Sequence, residues 1–387
     1  MAISSPYLYT VVSAAVFDST LDADVSNALN VRNLINRAAR IVWTDVDIRS
    51  AKRKAVLSPN LFDDVYDYAC PADLKQTAIV DLQDQANRSV SNRLQLVDEA
   101  YFDRHKTTST NLITVSHDDH VRKVRVSMDV DDTALQIGPL DSLTEDGTWA
   151  TFSAGSSGVV ADTVNFVEGA ASIRFNLESG TTTAGIVNST LTAFDLTEYV
   201  NLGSVLVWAY IASTTNLTNF IIRIGSSASD YYTQTITTAH DGTAFQAGWN
   251  LLRFSFASMT ETGTVADTAA DYVALYMTKD TSKADDFYAF DDLQLHTGEP
   301  FNLVYYSSYP WQDTNASYII SSTADTDGLN CGPDELELVV LKAKELAALE
   351  MREMGLADRH KEQYKEDLKS YRRNNRSDRL KLQQKYW

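Results

Sequence analysis

Cysteine is nearly absent: Cys70 and Cys331 are the only two among 387 residues, and neither has another Cys or His near it at metal-ligand spacing. That excludes a disulfide-stapled mini-domain and a zinc finger, and it suits reduced, buried thiols in a protein assembled in the cytosol. Basic residues are in deficit too, 33 Lys and Arg against 52 Asp and Glu, for a formal charge of −19. Binding to phosphates needs a concentrated basic surface, so specific nucleic-acid binding is not expected. No apolar run approaches the roughly 20 residues that span a bilayer, and no membrane partner is expected. The first residues put no basic group ahead of the short apolar run 11–17, so a secretory leader is not expected either. There is no glycine-rich phosphate loop followed by Lys and Ser or Thr. The many carboxylates show no spacing that selects a catalytic pair, and the sequence predicts a protein without enzymatic activity.

What is present is unevenly distributed. The length favours two domains, and the hydrophobic fraction of 44% is ordinary for globular protein. Residues 141–296 hold 18 Asp and Glu against 5 Lys and Arg, a net of −13. From residue 358 to the end the balance reverses, with 10 basic against 5 acidic residues, a net of +5. These are compositionally different pieces.

From Asp22 the spacing of Val25, Leu29, Leu34, Ile35, Ala38 and Val42 predicts an amphipathic helix, with Asp22 or Ser26 as its cap. Residues 62–71 read as a short extended segment ended by Pro71. Residues 111–128 place two β-rich runs around a polar centre, which predicts a hairpin with His117 to His120 as its turn. The His and Asp of that centre fall on alternate faces and are not expected to hold a metal. Residues 86–110 show no clear helix. Short β-rich runs then recur at 171–176, 204–212, 219–225, 231–237, 249–256, 272–277 and 287–295, the pattern of an antiparallel sandwich. A strand at Phe301 follows. A helix then starts at Gly332-Pro333-Asp334-Glu335 and runs to about Met354, with Gly355 as its cap, before a second helix over 359–373.

The residues Val164-Asn-Phe-Val-Glu-Gly-Ala-Ala-Ser-Ile-Arg-Phe175, Leu206-Val-Trp-Ala-Tyr-Ile211, Gly248-Trp-Asn-Leu-Leu-Arg-Phe254 and Phe290-Asp-Asp-Leu-Gln-Leu295 together resemble the jelly-roll carbohydrate-binding modules. The flanking sequence resembles the head-to-tail adaptor proteins of tailed bacteriophages. It does so through the early helix, Val65-Tyr-Asp-Tyr-Ala-Cys-Pro71, Tyr305-Tyr-Ser-Ser-Tyr-Pro-Trp311, the polar segment from Ser322, and the basic, aromatic C-terminus. The expected fold class is therefore multidomain α+β. A mainly helical host domain, with a β-hairpin and long C-terminal helices, is interrupted by an antiparallel jelly-roll sandwich. The expected divisions are 1–139 and 298–387 for the host and 140–297 for the insert.

The resemblance implies a non-enzymatic virion protein of the neck or tail: a homo-oligomeric ring, a dodecamer, docked on the portal protein and on other neck or tail proteins. DNA would pass through that ring. A glycan-binding adhesin or a capsid decoration protein is the alternative, with cell-surface polysaccharide as partner. Tyr386 and Trp387, on a tail with Lys385, Lys381 and Arg379, are the expected portal anchors, because large aromatics at a free end are ordered when they fill a partner's pocket. Tyr231 and Tyr232 are the candidate sugar contacts, against the plainer reading of alternate faces of one strand with one ring in the core, while the apolar neighbours of Trp208 and Trp249 predict core packing. Glu168 and Asp291 fall where related modules hold a structural calcium, so the resemblance offers that cofactor, while the residues by themselves read as isolated surface carboxylates and no cofactor is required.

Overall fold

The computed structural model describes residues 7–8, 28–48, 51–56, 60–84, 91–92, 95–109, 111–118, 121–128, 130, 132–178, 180–279 and 287–383. The chain separates into two compact units, one of Met1–Ala55, Pro71–Asp81 and Leu303–Trp387, the other of Val56–Cys70 and Leu82–Asn302.

The second unit is built on two antiparallel sheets. One runs in the order Ala150–Thr151, Thr183–Asn188, Tyr272–Lys279, Leu217–Gly225, Tyr231–Ile236, Thr260–Thr262. The other runs Ser156–Asp162, Ser172–Leu177, Phe287–His296, Ser204–Ile211, Gly248–Ser255, with Ala134–Gly138 also paired to Phe287–His296. Strand alternation explains why they stack, since side chains two apart share a face. Val205, Val207, Ala209 and Ile211 point inward, as do Phe220, Ile222 and Ile224 of the facing sheet, and both sets are buried in one core. At its centre Phe290 meets Phe175 at 5.5 Å and Phe220 at 5.9 Å between ring centroids. Each such ring contributes about 1.5–3 kcal/mol through burial.

A smaller sheet in the same unit has the order Asp67–Ala69, Val121–Ser127, Leu112–Asp118, Gln95–Leu96. The expected hairpin is its centre, with Leu112 paired to Ser127 and Asp118 to Val121; the tip at 119–120 lies outside the described residues. Next to it stands a helix that the sequence reading left out, Glu99–His105. Asp98 caps it by accepting the Tyr101 N–H at 2.9 Å, and its one buried side chain is Phe102. A cap of this kind is worth about 1 kcal/mol, enough to hold a short helix whose Phe102 is anchored.

The first unit packs the helices Ala28–Asp45, Pro333–Glu350 and Met354–Gln383 around Ile35, Val42, Trp311, Leu338 and Leu346. Pro333 opens its helix as expected, with Gly332 as the cap residue. Gly355 does not end that helix; the break falls at Met351 and Arg352, where Arg352 takes a φ of 61°, and Gly355 lies inside the next helix. Buried hydroxyls tie the helices together: Tyr371 donates to Glu335 Oε1 at 2.7 Å and Tyr364 to Asp45 Oδ2 at 2.8 Å. Strands Lys52–Val56, Phe301–Ser307 and Leu74–Asp84 lie side by side in that order. Asp73 accepts there from Tyr305 and Ser307, each at 2.7 Å, and pairs with Arg53.

The expected mainly helical host is not what forms. Of the described residues, 39% are in strands and 22% in helices. Outside the sandwich, runs such as Lys52–Val56 and Leu74–Asp84 pair as strands, because their apolar and β-branched residues find sheet neighbours far away in sequence. Nor does residue 139 divide the chain. Residues 82–139 cluster with the sandwich, and Ala134–Gly138 is one of its strands. Asp132 locks this entry to the exit by accepting the Gly298 N–H at 2.7 Å and the His296 Nδ1–H at 2.6 Å. Against the burial that would raise it, these bonds hold the Asp132 carboxyl below the usual range.

Candidate functional site

Alternation that sends Val205, Val207 and Ala209 inward must send Leu206, Trp208 and Tyr210 to the outer face of their sheet. The next strand does the same, with Leu252 and Phe254 inward and Trp249 outward. Register then aligns the outward-facing rings. Tyr210 is paired with Trp249 across the strands, with ring centroids 5.4 Å apart. On its other side Tyr210 stacks on Phe287 at 5.3 Å and an interplanar angle of 11°, and the Arg174 guanidinium sits 4.3 Å from the Phe287 centroid. The result is a half-buried aromatic row across three adjacent strands, with Trp208 beside it.

Trp208 and Trp249 are thus not core residues. Both line a cleft of about 650 Å³ within the second unit. The sandwich supplies one wall, including Leu206, Trp208, Trp249 and Gln294; residues 63–67, Lys106, Lys123 and Arg125 supply the other. The cations of that second wall are mostly spent on structure. Lys123 pairs with Asp241 at 2.7 Å, and Arg125 with Asp67 and Asp103, each at 2.8 Å. Burial would raise the Asp241 carboxyl, but Lys123 and Thr243 together keep it below its ordinary value. Lys106 lies 5.2 Å over the Tyr66 ring.

The carboxylates at one end are arranged differently. Asp64 accepts the Tyr66 hydroxyl at 3.3 Å, and Asp292 accepts the amides of Gln136 and Gln294 at 3.2 and 2.6 Å. Asp64 and Asp292 both take left-handed backbone angles, φ 57° and 49°, which Asp tolerates better than most residues. Glu168 is pushed above the usual range first by the charge of Asp292, then by its own burial, with Asp141 and Asp64 adding to it. Like charges are therefore gathered here rather than paired.

Two histidines complete the lining. His296 faces Asp132 with Nδ1 and Gln294 Oε1 with Nε2, the latter at 3.0 Å. His240 is 6% exposed, its ring set against Phe62 and Tyr68, and its two ring nitrogens lack well-formed hydrogen bonds. Burial, reinforced by Arg253, lowers it to about 3, so it stands neutral.

The loop carrying Glu168 is shaped by Gly169, whose φ of +71° and whose approach to Asp141 leave no room for a Cβ. That turn lets Ala170 and Ala171 donate to Asp141 Oδ1 at 2.6 and 2.9 Å, and Val167 and Glu168 to Asp291 Oδ2 at 2.6 and 3.2 Å. Asp291 is fully buried, its Oδ1 has no partner, and burial raises it to about 6 despite those bonds. Calcium takes six to eight oxygens. The side chains here offer one orphaned oxygen at Asp291, while Glu168 is turned to Asp292, and no group of three or more metal-binding side chains forms among the described residues. The expected pair does not fit a calcium site built from side chains.

Tyr231 and Tyr232 lie in the other sheet and do not reach the cleft. Tyr232 packs edge-on to Phe256 and donates to Asp267 Oδ1 at 2.9 Å. Tyr231 is on the outer face, 4.7 Å from the Arg223 guanidinium. Of the expected portal anchors, Lys385, Tyr386 and Trp387 lie outside the described residues, and Arg379 and Lys381 fall within the helix Met354–Gln383. The residues missed from the sequence are Trp208, Tyr210, Trp249 and Phe287. Their signal was the period-two pattern around them.

No family model matches the chain, and no curated protein matches it. Solved structures similar to it include a family 30 carbohydrate-binding module, 12% identical, covering 42% of this chain and 98% of that one, at a TM-score of 0.32. Another is the family 30 module of a cellulosomal cellulase of Clostridium thermocellum, at 14%, 42%, 96% and 0.32. A third is the family 11 module from Clostridium thermocellum in complex with a β-1,3-1,4-mixed-linked tetrasaccharide, at 15%, 42%, 94% and 0.30. Likeness at this level says nothing of what this chain binds. The expected adaptor resemblance finds no support in these comparisons.

Proposed function

We propose that this protein is a non-catalytic glycan-binding protein whose ligand lies in the cleft on the outer face of the sandwich. The observation that carries the reading is the set of half-buried rings of Trp208 and Trp249 in a cavity whose lining also offers the amides of Gln246, Asn250 and Gln294 and the carboxylates of Asp64, Glu168 and Asp292. Pyranose rings have apolar faces that stack on aromatics and an equator of hydroxyls that pairs with planar polar groups, and this cleft offers both. A volume of about 650 Å³ suits a short oligosaccharide. Neither histidine of the lining is free for proton transfer: His296 uses both ring nitrogens on Asp132 and Gln294, and His240 is neutral and buried.

The portal-docking ring, with its virion location, is carried by the sequence texture alone and is not the reading adopted. Affinity electrophoresis of the full chain in gels containing soluble polysaccharides tests the glycan reading. Retardation in at least one gel is expected, and it should disappear in Trp208→Ala and Trp249→Ala variants that still melt cooperatively. Retardation that survives both substitutions would overturn it.

A further inference from the structure

Resting on that reading, we infer that the cleft selects glycans carrying free amino groups, and that the selection is made by Asp64, Glu168 and Asp292 from segments far apart in sequence. The cations of the lining are already engaged, Lys123 and Arg125 in ion pairs and Lys106 over an aromatic ring. Asp63, Asp64, Glu168 and Asp292 have no basic partner among the described ion pairs, while amides and a tyrosine hydroxyl orient two of them. The raised Glu168 shows the cost of gathering these charges with nothing positive between them. An ammonium group placed there would relieve that repulsion and make charge-assisted hydrogen bonds.

A second observation at the same cleft is His240, 6% exposed and lining the cavity without well-formed bonds at either ring nitrogen. The Asp67 backbone approaches one ring nitrogen of His240, and the other is left for a ligand to complete, since a buried polar atom without a partner is costly. Being neutral, it adds no positive charge that would repel an amine. A bare divalent cation is the competing occupant. The absence of a group of three or more metal-binding side chains among the described residues argues against it.

The test is isothermal titration calorimetry of the full chain with the β-1,4-linked glucosamine trisaccharide, its fully N-acetylated form and the matching glucose trisaccharide. It is run at pH 6 and 0.15 M salt in EDTA. The amine form should bind about tenfold more tightly than the two neutral forms, the value of one well-placed charge-assisted contact. In the Asp64→Asn, Glu168→Gln double variant, which keeps planar polar groups but removes two charges, that preference should fall to within twofold. Trp208→Ala should lose all three ligands.

Equal affinity for amine and neutral forms, or a preference that survives the double variant, overturns the amine selection and leaves the glycan reading standing. Amine binding that survives Trp208→Ala marks general attraction to an acidic protein and overturns it as well. Failure of every saccharide to bind overturns both. Calcium without EDTA that gives binding heat removed by the double variant assigns the carboxylates to a cation instead.

Discussion

Asp291→Asn should stabilise the protein above neutral pH, against the usual outcome for a buried polar residue. Burial holds the Asp291 carboxyl at about 6, above the ordinary carboxylate value. The folded state therefore binds this proton more tightly than the unfolded chain does. Its contribution is fully present below about pH 4 and is lost as pH rises through about 6. A shift of roughly two pK units corresponds to at most about 3 kcal/mol. Asn keeps an oxygen for the Val167 and Glu168 N–H groups and carries no charge. Its amide nitrogen takes the place of the orphaned Oδ1, and leaving that donor unpaired returns about 1 kcal/mol or more of the gain. The cleanest readout is thus the difference between the two proteins as a function of pH. Urea unfolding in EDTA at pH 4 and pH 7.5 should show the variant gaining on the wild type by about 2–3 kcal/mol between the two. Parallel pH profiles would refute the reasoning, and so would a variant less stable by the same amount at both pH values.

Four further outcomes follow from the same geometry. Phe290→Ala, at the centre of the sandwich, should cost about 3–5 kcal/mol, read by denaturant unfolding. His240→Phe should lose part of the wild type's acid sensitivity between pH 6.5 and about 3, because a histidine held neutral by burial costs stability as the unfolded chain takes up its proton in that window; unfolding midpoints across the range measure it. Tyr231→Ala should leave glycan retardation unchanged, while Tyr232→Phe should cost about 1 kcal/mol through the lost bond to Asp267 without touching binding.

What could be read from the sequence was local. Alternating apolar residues in runs such as 204–211 and 219–225 announced the sandwich. Pro333 with two acidic residues behind it announced a helix start, and the runs flanking 117–120 announced a hairpin. The helix Glu99–His105 was legible in principle from Asp98, but one cap and one buried ring make a weak signal. The small sheets were not legible, because strands such as Leu74–Asp84 and Phe301–Ser307 are separated by more than two hundred residues. Counting only the visible helices made the remainder look helical.

The cleft was out of reach for the same reason. Asp64, Lys123, Trp208 and Asp292 share it only because the small sheet and the sandwich fold as one unit. Trp208 was misjudged by composition: its neighbours Val207 and Ala209 are apolar because they face the core, which is the circumstance that turns Trp208 outward. Tyr231 and Tyr232 lie on alternate faces of one strand, one toward the core and the other against Arg223 on the neighbouring strand of the same sheet.

Hydrogen exchange of the full chain, with and without a saturating oligosaccharide, tests the central claim most directly, since it locates the ligand without presuming its identity. The cleft account expects slowed exchange in residues 62–68, 206–210 and 246–251, on both walls together, with residues 231–236 unchanged. Protection confined to residues 231–236, or spread over the first unit with none at Trp208 and Trp249, would contradict it.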